Sequence, residues 1–576
     1  MTHLLGRMSP CSRLGLIAAV SPDVNKVRRA LCAFLIFLGF GWICSPPTKA
    51  QSIDLVDVTA ESGIDWIHTD GGSGKGYIVE ALSAGIATFD YNNDGWIDIY
   101  FLNGAPLRGT QSSDIPRNAL FRNNGNFTFT DVTEEAGVGD TGYGLGVGVG
   151  DYDGDGNLDI YVNNFGPNVL YRNRGDQTFE DVTHQCGVAD GEKVGAGVAF
   201  LDIDGDGDLD LYSANYVNFN YDTYVEIIVK GKRYTAGPQY YKPVPDTLFR
   251  NDGNGKFTDI SQESGIASVA GSGMGLIALD IDDDHDTDIY VCNDGNPNFL
   301  FLNDGKGHFE EVALLSGLAF SFTGDADASM GVDVGDYNRD GLPDLFSTNY
   351  QGQAPNLYRN LSNGIYMDAS RQASALQVLY PHVNWGTAFV DIDNDSDEDL
   401  FVACGHFDRI EQVDDRTSLK IPNFLFRNDN GVFKDVSTGS GSGLSVVESS
   451  RALAAEDFDN DGDIDLVVAN ADARPTVLRN DSAGGNHWMK LILQQDGPNR
   501  SATGAKITLA AGSLKQTRFA VSGRGYQSHF GTTHHFGLGT WDQPAIVTVS
   551  WPDGQSEVFE VPVDQLSTLV RGQGAR

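Results

Sequence analysis

Short apolar runs, separated by polar and glycine-rich turns, recur along this chain in a fixed order. Each unit opens with small and apolar residues, as in Gly85-Ile-Ala-Thr-Phe89 or Gly146-Val-Gly-Val-Gly150, and then enters an acidic turn. An alternating run follows, such as Ile99-Tyr-Phe-Leu-Asn103 or Leu345-Phe-Ser-Thr-Asn349. A third run reads Leu120-Phe-Arg-Asn123, Leu170-Tyr-Arg-Asn173, Leu248-Phe-Arg-Asn251 or Leu425-Phe-Arg-Asn428. After a turn such as Asn124-Gly125 or Asp252-Gly253, a fourth begins at Phe129, Phe257 or Phe433. Period-two alternation bounded by Gly, Asn and Asp predicts strands joined by tight turns. Each period therefore predicts one four-stranded antiparallel meander, with the small-residue run innermost, where neighbouring backbones crowd together.

The acidic turn recurs seven times, about 61 residues apart from Asp90 to Asp457, a spacing ample for the four-stranded blade of a propeller. Positions 1, 3, 5 and 9 carry Asp90, Asn92, Asp94 and Asp98 in loop 1, then Asp151, Asp153, Asp155 and Asp159 in loop 2. Loop 3 has Asp202, Asp204, Asp206 and Asp210; loop 4 has Asp280, Asp282, Asp284 and Asp288. Loop 5 has Asp336, Asn338, Asp340 and Asp344, loop 6 Asp391, Asp393, Asp395 and Asp399, and loop 7 Asp457, Asp459, Asp461 and Asp465. Carboxylates at alternate positions of a tight turn can aim oxygens at one hard cation, and Gly at position 6 permits the left-handed bend. One or two such loops are explained by turn propensity alone; seven make Ca²⁺ the expected cofactor, at up to seven sites. His285 and Ser396 replace that Gly in loops 4 and 6, so these two are expected to be weak or distorted.

The ends of the repeat array predict closure. The last repeat reaches its third run at Val477-Leu-Arg-Asn480 but has no fourth, while Leu55-Val-Asp-Val-Thr-Ala-Glu-Ser-Gly63 matches the fourth run Phe129 to Gly137. The first segment should therefore complete the seventh sheet and remove the open edges of the array. The expected fold is all-β: a seven-bladed β-propeller over residues 51–483 and a small C-terminal β-sandwich over 484–576. The tail strands Met489-Lys-Leu-Ile-Leu, Lys506-Ile-Thr-Leu, Thr517-Arg-Phe-Ala-Val and Ile546-Val-Thr-Val-Ser-Trp support the second part.

Composition narrows the setting. A net charge of −40 without a basic face excludes nucleic acid as a partner. Lys26, Arg28 and Arg29 precede an apolar run to Cys44 and a short polar stretch ending at Thr48-Lys49-Ala50, which predicts a cleaved leader over 1–50 and leaves no stable membrane span. The expected location is secreted, periplasmic or in the cell envelope, as a monomer. Three cysteines then remain, Cys186, Cys292 and Cys404, too few for disulfides to hold the exported chain together.

The seven loops resemble FG-GAP/VCBS-type repeats. Residues 486–570, with Gly504-Ala-Lys-Ile, Gly523-Arg-Gly-Tyr526, His535-Phe-Gly-Leu-Gly539 and Trp551-Pro-Asp-Gly554, resemble an ASPIC/UnbV domain. Together they resemble the bacterial relatives of the cartilage acidic protein family. The resemblance implies a calcium-loaded propeller serving extracellular interaction, with the loop residues named above as ligands.

A partner needs a surface away from the loops. The longest insertions fall on the opposite rim. Residues 216–245 carry Tyr216, Phe219, Tyr221, Tyr224, Tyr234, Tyr240 and Tyr241, and 405–422 carry His406, Asp408 and Arg409. Aromatics among polar groups suit a protein or glycan partner, although an insertion can equally cover a neighbouring sheet. A rival reading is a calcium-dependent polysaccharide lyase or sugar dehydratase drawing on His382, His406, Tyr240 or Arg409; a third is a structural envelope component. Asn103, Asn164, Asn215, Asn293, Asn349 and Asn470 stand at equivalent places, with Cys404 in the remaining repeat, and are read as satisfying a repeated turn. His529, His534 and His535 are read as structural.

Overall fold

In the computed structural model, residues 52–575 are described, except 84, 112–114, 230 and 408–415. The leader expected over 1–50, together with Asp408 and Arg409, lies outside the described residues. Among the described residues no helix is long and apolar enough to cross a membrane.

The repeats form seven four-stranded antiparallel sheets in the manner of a β-propeller. The first sheet runs Ile86–Phe89, Asp98–Phe101, Ala119–Asn123 and Phe129–Asp131, in chain order from inside to outside. The seventh joins Ser450–Glu456, Asp465–Asn470 and Thr476–Asn480 to the N-terminal strand Leu55–Asp57, whose Leu55 pairs with Asn480 and Asp57 with Leu478. The innermost strands of consecutive sheets pack side by side. Ile86–Phe89 meets both Tyr143–Gly150 and Ser450–Glu456, so the cycle of contacts closes.

The small residues of the innermost strands are required by this approach. A Cβ on Gly146 would stand 1.8 Å from the carbonyl oxygen of Ala196 in the next sheet. Larger residues fill the wedges between sheets. Tyr100, Tyr161 and Tyr212 occupy the same place on successive second strands and are fully buried. Each such ring removes roughly 150–250 Å² from water, and each hydroxyl finds an acceptor: Val138 O, Val188 O and the Asp246 carboxylate.

The C-terminal strands form a three-stranded sheet, in which His487–Gln494 lies between His534–Gly539 and Leu566–Val570, and a four-stranded sheet around Lys506–Ala511 and Ala545–Ser550. One core, including Met489, Leu491, Ile507, Phe536, Val547 and Trp551, lies between the two layers.

This module docks onto the loop rim and sends residues 522–531 into the centre of the ring. Ser522 O accepts from Ala278 N and Ser522 Oγ from Phe200 N; Gly525 pairs with Val332, and Gln527 O accepts from Val147 N. His529 pairs alongside Ala87, Tyr526 packs on the Trp385 ring, and Gly531 N donates to Glu456 at 2.6 Å. All seven innermost strands are thus touched by one segment, which satisfies backbone groups that an open central channel would leave to water.

Candidate metal centres

The seven loops share one hydrogen-bond scaffold, and it explains the residue type at each place. The position 1 carboxylate turns back on the loop: Asp151 accepts from Asp155 N at 3.0 Å and Gly156 N at 2.9 Å, and Asp391 from Asp395 N and Ser396 N at 3.0 and 2.8 Å. The position 9 carboxylate clasps loop to sheet. Asp159 accepts from Tyr152 N at 3.1 Å with one oxygen and from Asn173 N of the third strand at 2.7 Å with the other. Asp399 and Asp465 repeat this with Ile392 and Asn428, and with Phe458 and Asn480.

Five loops bring three carboxylates together with ligand atoms within 4.8 Å of one another: Asp151, Asp153 and Asp159; Asp202, Asp204 and Asp206; Asp280, Asp282 and Asp288; Asp391, Asp393 and Asp399; Asp457, Asp459 and Asp465. Of the remaining predicted ligands, Asp210 lies outside the loop 3 triad, Asp155, Asp284, Asp395 and Asp461 stand beside theirs, and loops 1 and 5 form no such triad. There an amide replaces the position 3 carboxylate, its oxygen accepting from the position 5 N–H and its nitrogen donating to a loop carboxylate. Asn92 Nδ2 donates to Asp94 at 3.0 Å and Asn338 Nδ2 to Asp344 at 2.9 Å.

The expectation of distortion at loops 4 and 6 is corrected by the backbone. His285 and Ser396 adopt the left-handed conformation of the Gly they replace, with φ of 75° and 86°, and both loops hold a triad. Position 4 is also left-handed, as at Asn93, Asp283, Arg339, Asn394 and Asn460, a requirement the sequence reading missed. The predominance of Asn, Asp and Gly at that position was its signal.

The donor set fits a cation. Asp204 Oδ1, Asp282 Oδ1 and Asp393 Oδ1, all at position 3, are buried without a hydrogen-bond donor. Oxygens in that state are costly unless something positive meets them. Burial pushes Asp98 up to about 8 and Asp344 to about 9, and raises Asp159, Asp210, Asp288, Asp399 and Asp465 well above the usual carboxylate range. Neighbouring carboxylates push the same way, while the backbone N–H groups oppose them.

A second device escaped the sequence reading. The Asn that ends each third strand reaches across to the loop of the preceding sheet. Asn173 Nδ2 donates to Tyr91 O, Asn251 to Tyr152 O, Asn303 to Ile203 O, Asn428 to Tyr337 O, Asn480 to Ile392 O and Asn123 to Phe458 O, each at 2.8 Å. Asn360 departs from this and donates to Tyr366 Oη at 3.0 Å. Its recurrence after Leu-Phe-Arg was the available signal. The other Asn series satisfies its turn as expected: Asn164, Asn293 and Asn470 donate to Pro167 O, Pro297 O and Arg474 O, each at 2.9 Å.

Basic side chains of the C-terminal module meet the acidic rim. Lys490 Nζ lies 2.6 Å from Asp457 with both groups buried, Arg500 donates to Gly154 O at 2.7 Å, and Lys506 reaches Asp283 at 3.1 Å. His529 is buried and His534 and His535 are half-buried; all three are held neutral, pushed down to about 4, 4 and 3 by desolvation and by the nearby Arg524 or Arg518. They form no metal cluster among the described residues. Cys186, Cys292 and Cys404 are buried free thiols.

On the far rim, the insertion packs down in part. Tyr221 and Tyr224 meet the Tyr77 ring edge-on at 5.2 and 4.9 Å, and Tyr224 Oη donates to Lys75 O at 2.5 Å. Tyr240 remains 51% exposed. His406 is buried beside Tyr350 and Phe407, and His382 Nδ1 lies 2.9 Å from Thr417 Oγ1.

Residues 495–576 match the ASPIC and UnbV family, and residues 90–162, 151–213, 280–347 and 336–402 match the FG-GAP-like repeat. Human cartilage acidic protein 1 is 28% identical over 382 residues, covering 65% of this chain and 53% of that protein. The chain thus spans about half the length of this relative. An Agrocybe aegerita lectin structure aligns at a TM-score of 0.34 and 16% identity over 61% of this chain and 79% of its own. A Bacillus licheniformis rhamnogalacturonan lyase aligns at 0.35 and 14%, over 74% and 75%. These two scores are too low to favour either activity.

Proposed function

The chain carries FG-GAP repeats and an ASPIC/UnbV domain and is homologous to cartilage acidic protein 1; on that premise we propose that it is an exported, calcium-loaded binding module. The far rim would engage a protein or a glycan. One observation carries the reading: five separate loops each gather three carboxylates around one point, and three of those points are faced by a buried oxygen without a donor. A set made only of oxygens suits a hard cation that takes six to eight such ligands at about 2.3–2.6 Å. Calcium, when bound, would supply positive charge to the three buried oxygens that meet no hydrogen-bond donor within the chain. It would act as a brace, because an ion that binds only the folded ring stabilises it by mass action.

Recognition is assigned to the far rim because the C-terminal module covers the loops. That rim carries exposed Tyr240 and Ile228 on the insertion, and side chains of this kind suit contact with a partner. Export rests on the leader pattern before Ala50.

The test is elemental analysis of the purified mature protein, paired with protein and glycan arrays probed in calcium and in EDTA. Bound calcium and an array signal lost in EDTA are expected. A protein free of calcium whose melting is unchanged by EDTA would refute the metal reading, and blank arrays in calcium would refute the binding role.

A further inference from the structure

At the centre of the far rim the ring axis opens into a cavity of about 340 Å³. Its wall includes Tyr216, Tyr234, Met274, Met330, Tyr350 and Trp385, and Asp294 also lines it. The plug lies behind this lining: Tyr526 packs on Trp385 with ring centroids 5.0 Å apart and donates to Leu82 O at 3.0 Å. The cavity's volume lies in the range of small-molecule sites.

The chemistry of its lining is one-sided. Asp294 accepts a hydrogen bond from Tyr216 Oη at 2.6 Å, and no basic side chain pairs with it among the described residues. Among the described residues no Lys or Arg lines the cavity, and the cation that packs behind its wall is committed elsewhere. Arg451 stacks on Trp385 at 4.3 Å from the ring centroid and bonds to Ser449 and Ala81 O, and the acids that act on it are Asp472 and Asp70. A carboxylate in an aromatic and thioether-lined hollow is stabilised by an organic cation. The ring faces attract its charge and the carboxylate neutralises it. A neutral sugar would leave that carboxylate uncompensated, and a metal ion would find a single carboxylate rather than a cluster of acidic ligands. The strongly acidic chain also concentrates cations near its surface.

We propose that this cavity binds a small organic ammonium ion, seated against Asp294 and the aromatic wall. The site is separate from the calcium loops and adds a small-molecule ligand to the binding role assigned to this rim.

Choline and its uncharged carbon isostere, neohexyl alcohol, separate charge recognition from simple apolar filling. Titration calorimetry on the calcium-saturated full chain is expected to show choline binding and at least about tenfold weaker binding of the alcohol. Asp294→Asn should weaken choline by a similar factor while leaving calcium-dependent melting intact. Tyr234→Ala should weaken it too. Equal affinity for choline and the alcohol, or no choline binding by a protein that still melts in a calcium-dependent way, overturns the proposal. The latter outcome leaves the calcium-loaded binding module standing. Should Asp294→Asn fail to fold, the comparison of the two probes on the unmodified chain decides alone.

Discussion

Arg524 donates from Nε and Nη2 to the two carboxylate oxygens of Asp333, each at 2.8 Å, in the interior of the ring. Asp333 is fully buried on the innermost strand of the fifth sheet and also accepts from Phe389 N of the sixth at 2.7 Å. One ion pair thus ties the C-terminal module to two sheets. Removing one partner leaves the other charge buried and unpaired, which costs about 3–5 kcal/mol. Arg524→Ala should lower unfolding stability on that scale in chemical denaturation, and Arg524→Ala with Asp333→Asn should recover part of it. A single variant within about 0.5 kcal/mol of the parent would show the pair to be incidental.

The Asn straps make a graded prediction. Asn173→Ala removes the donor to Tyr91 O in the preceding sheet and to Leu158 O in its own, at 2.8 and 3.1 Å, leaving buried acceptors unmet. A loss of about 1–3 kcal/mol is expected. Asn360→Ala breaks no strap between sheets, so it should leave the protection of the preceding loop in amide exchange unchanged, whereas Asn173→Ala should expose the Tyr91 region.

Calcium stoichiometry should follow the triads rather than the motif count. Asp282→Asn is expected to remove one bound ion from the total. At calcium a hundredfold above its dissociation constant this lowers stability by about 2.7 kcal/mol. Asn92→Ala in loop 1 should change neither the tight stoichiometry nor the melt in calcium. Equal losses from both variants, by elemental analysis, would contradict the distinction between the loops.

The pH response has a buried histidine behind it. His68 is pushed down to about 4 mainly by burial, with Arg451 in the same direction and Asp70 opposing, and its Nδ1 accepts from Asp472 N at 3.2 Å. Unfolded, such a group titrates near ~6.5. Between these values the unfolded chain binds the extra proton, so stability falls as pH falls from about 6.5 to about 4, by up to ~1.4 kcal/mol per pH unit. In saturating calcium, His68→Asn should flatten the acid limb of the stability curve over that window. Parallel curves would show that the imidazole is not held neutral in the fold.

The repeat was legible from residue types alone, because strand alternation and a turn needing left-handed residues are local properties that residue type reports directly. Closure was equally legible: Leu55-Val-Asp matches the missing fourth strand in pattern, and it pairs with Asn480 to Leu478 as that pattern requires. His285 and Ser396 showed where local rules reach their limit, since the surrounding hydrogen bonds impose on them a conformation that side-chain preference alone disfavours. The relations between distant segments, by contrast, emerged with the folded ring. Asn173 lies 82 residues from Tyr91, and Ser522 lies 322 from Phe200, yet each pair is joined by a hydrogen bond. No local pattern records such contacts. They arise because the closed ring sets each sheet against the next and brings every innermost strand to one axis, where the C-terminal segment pairs with them.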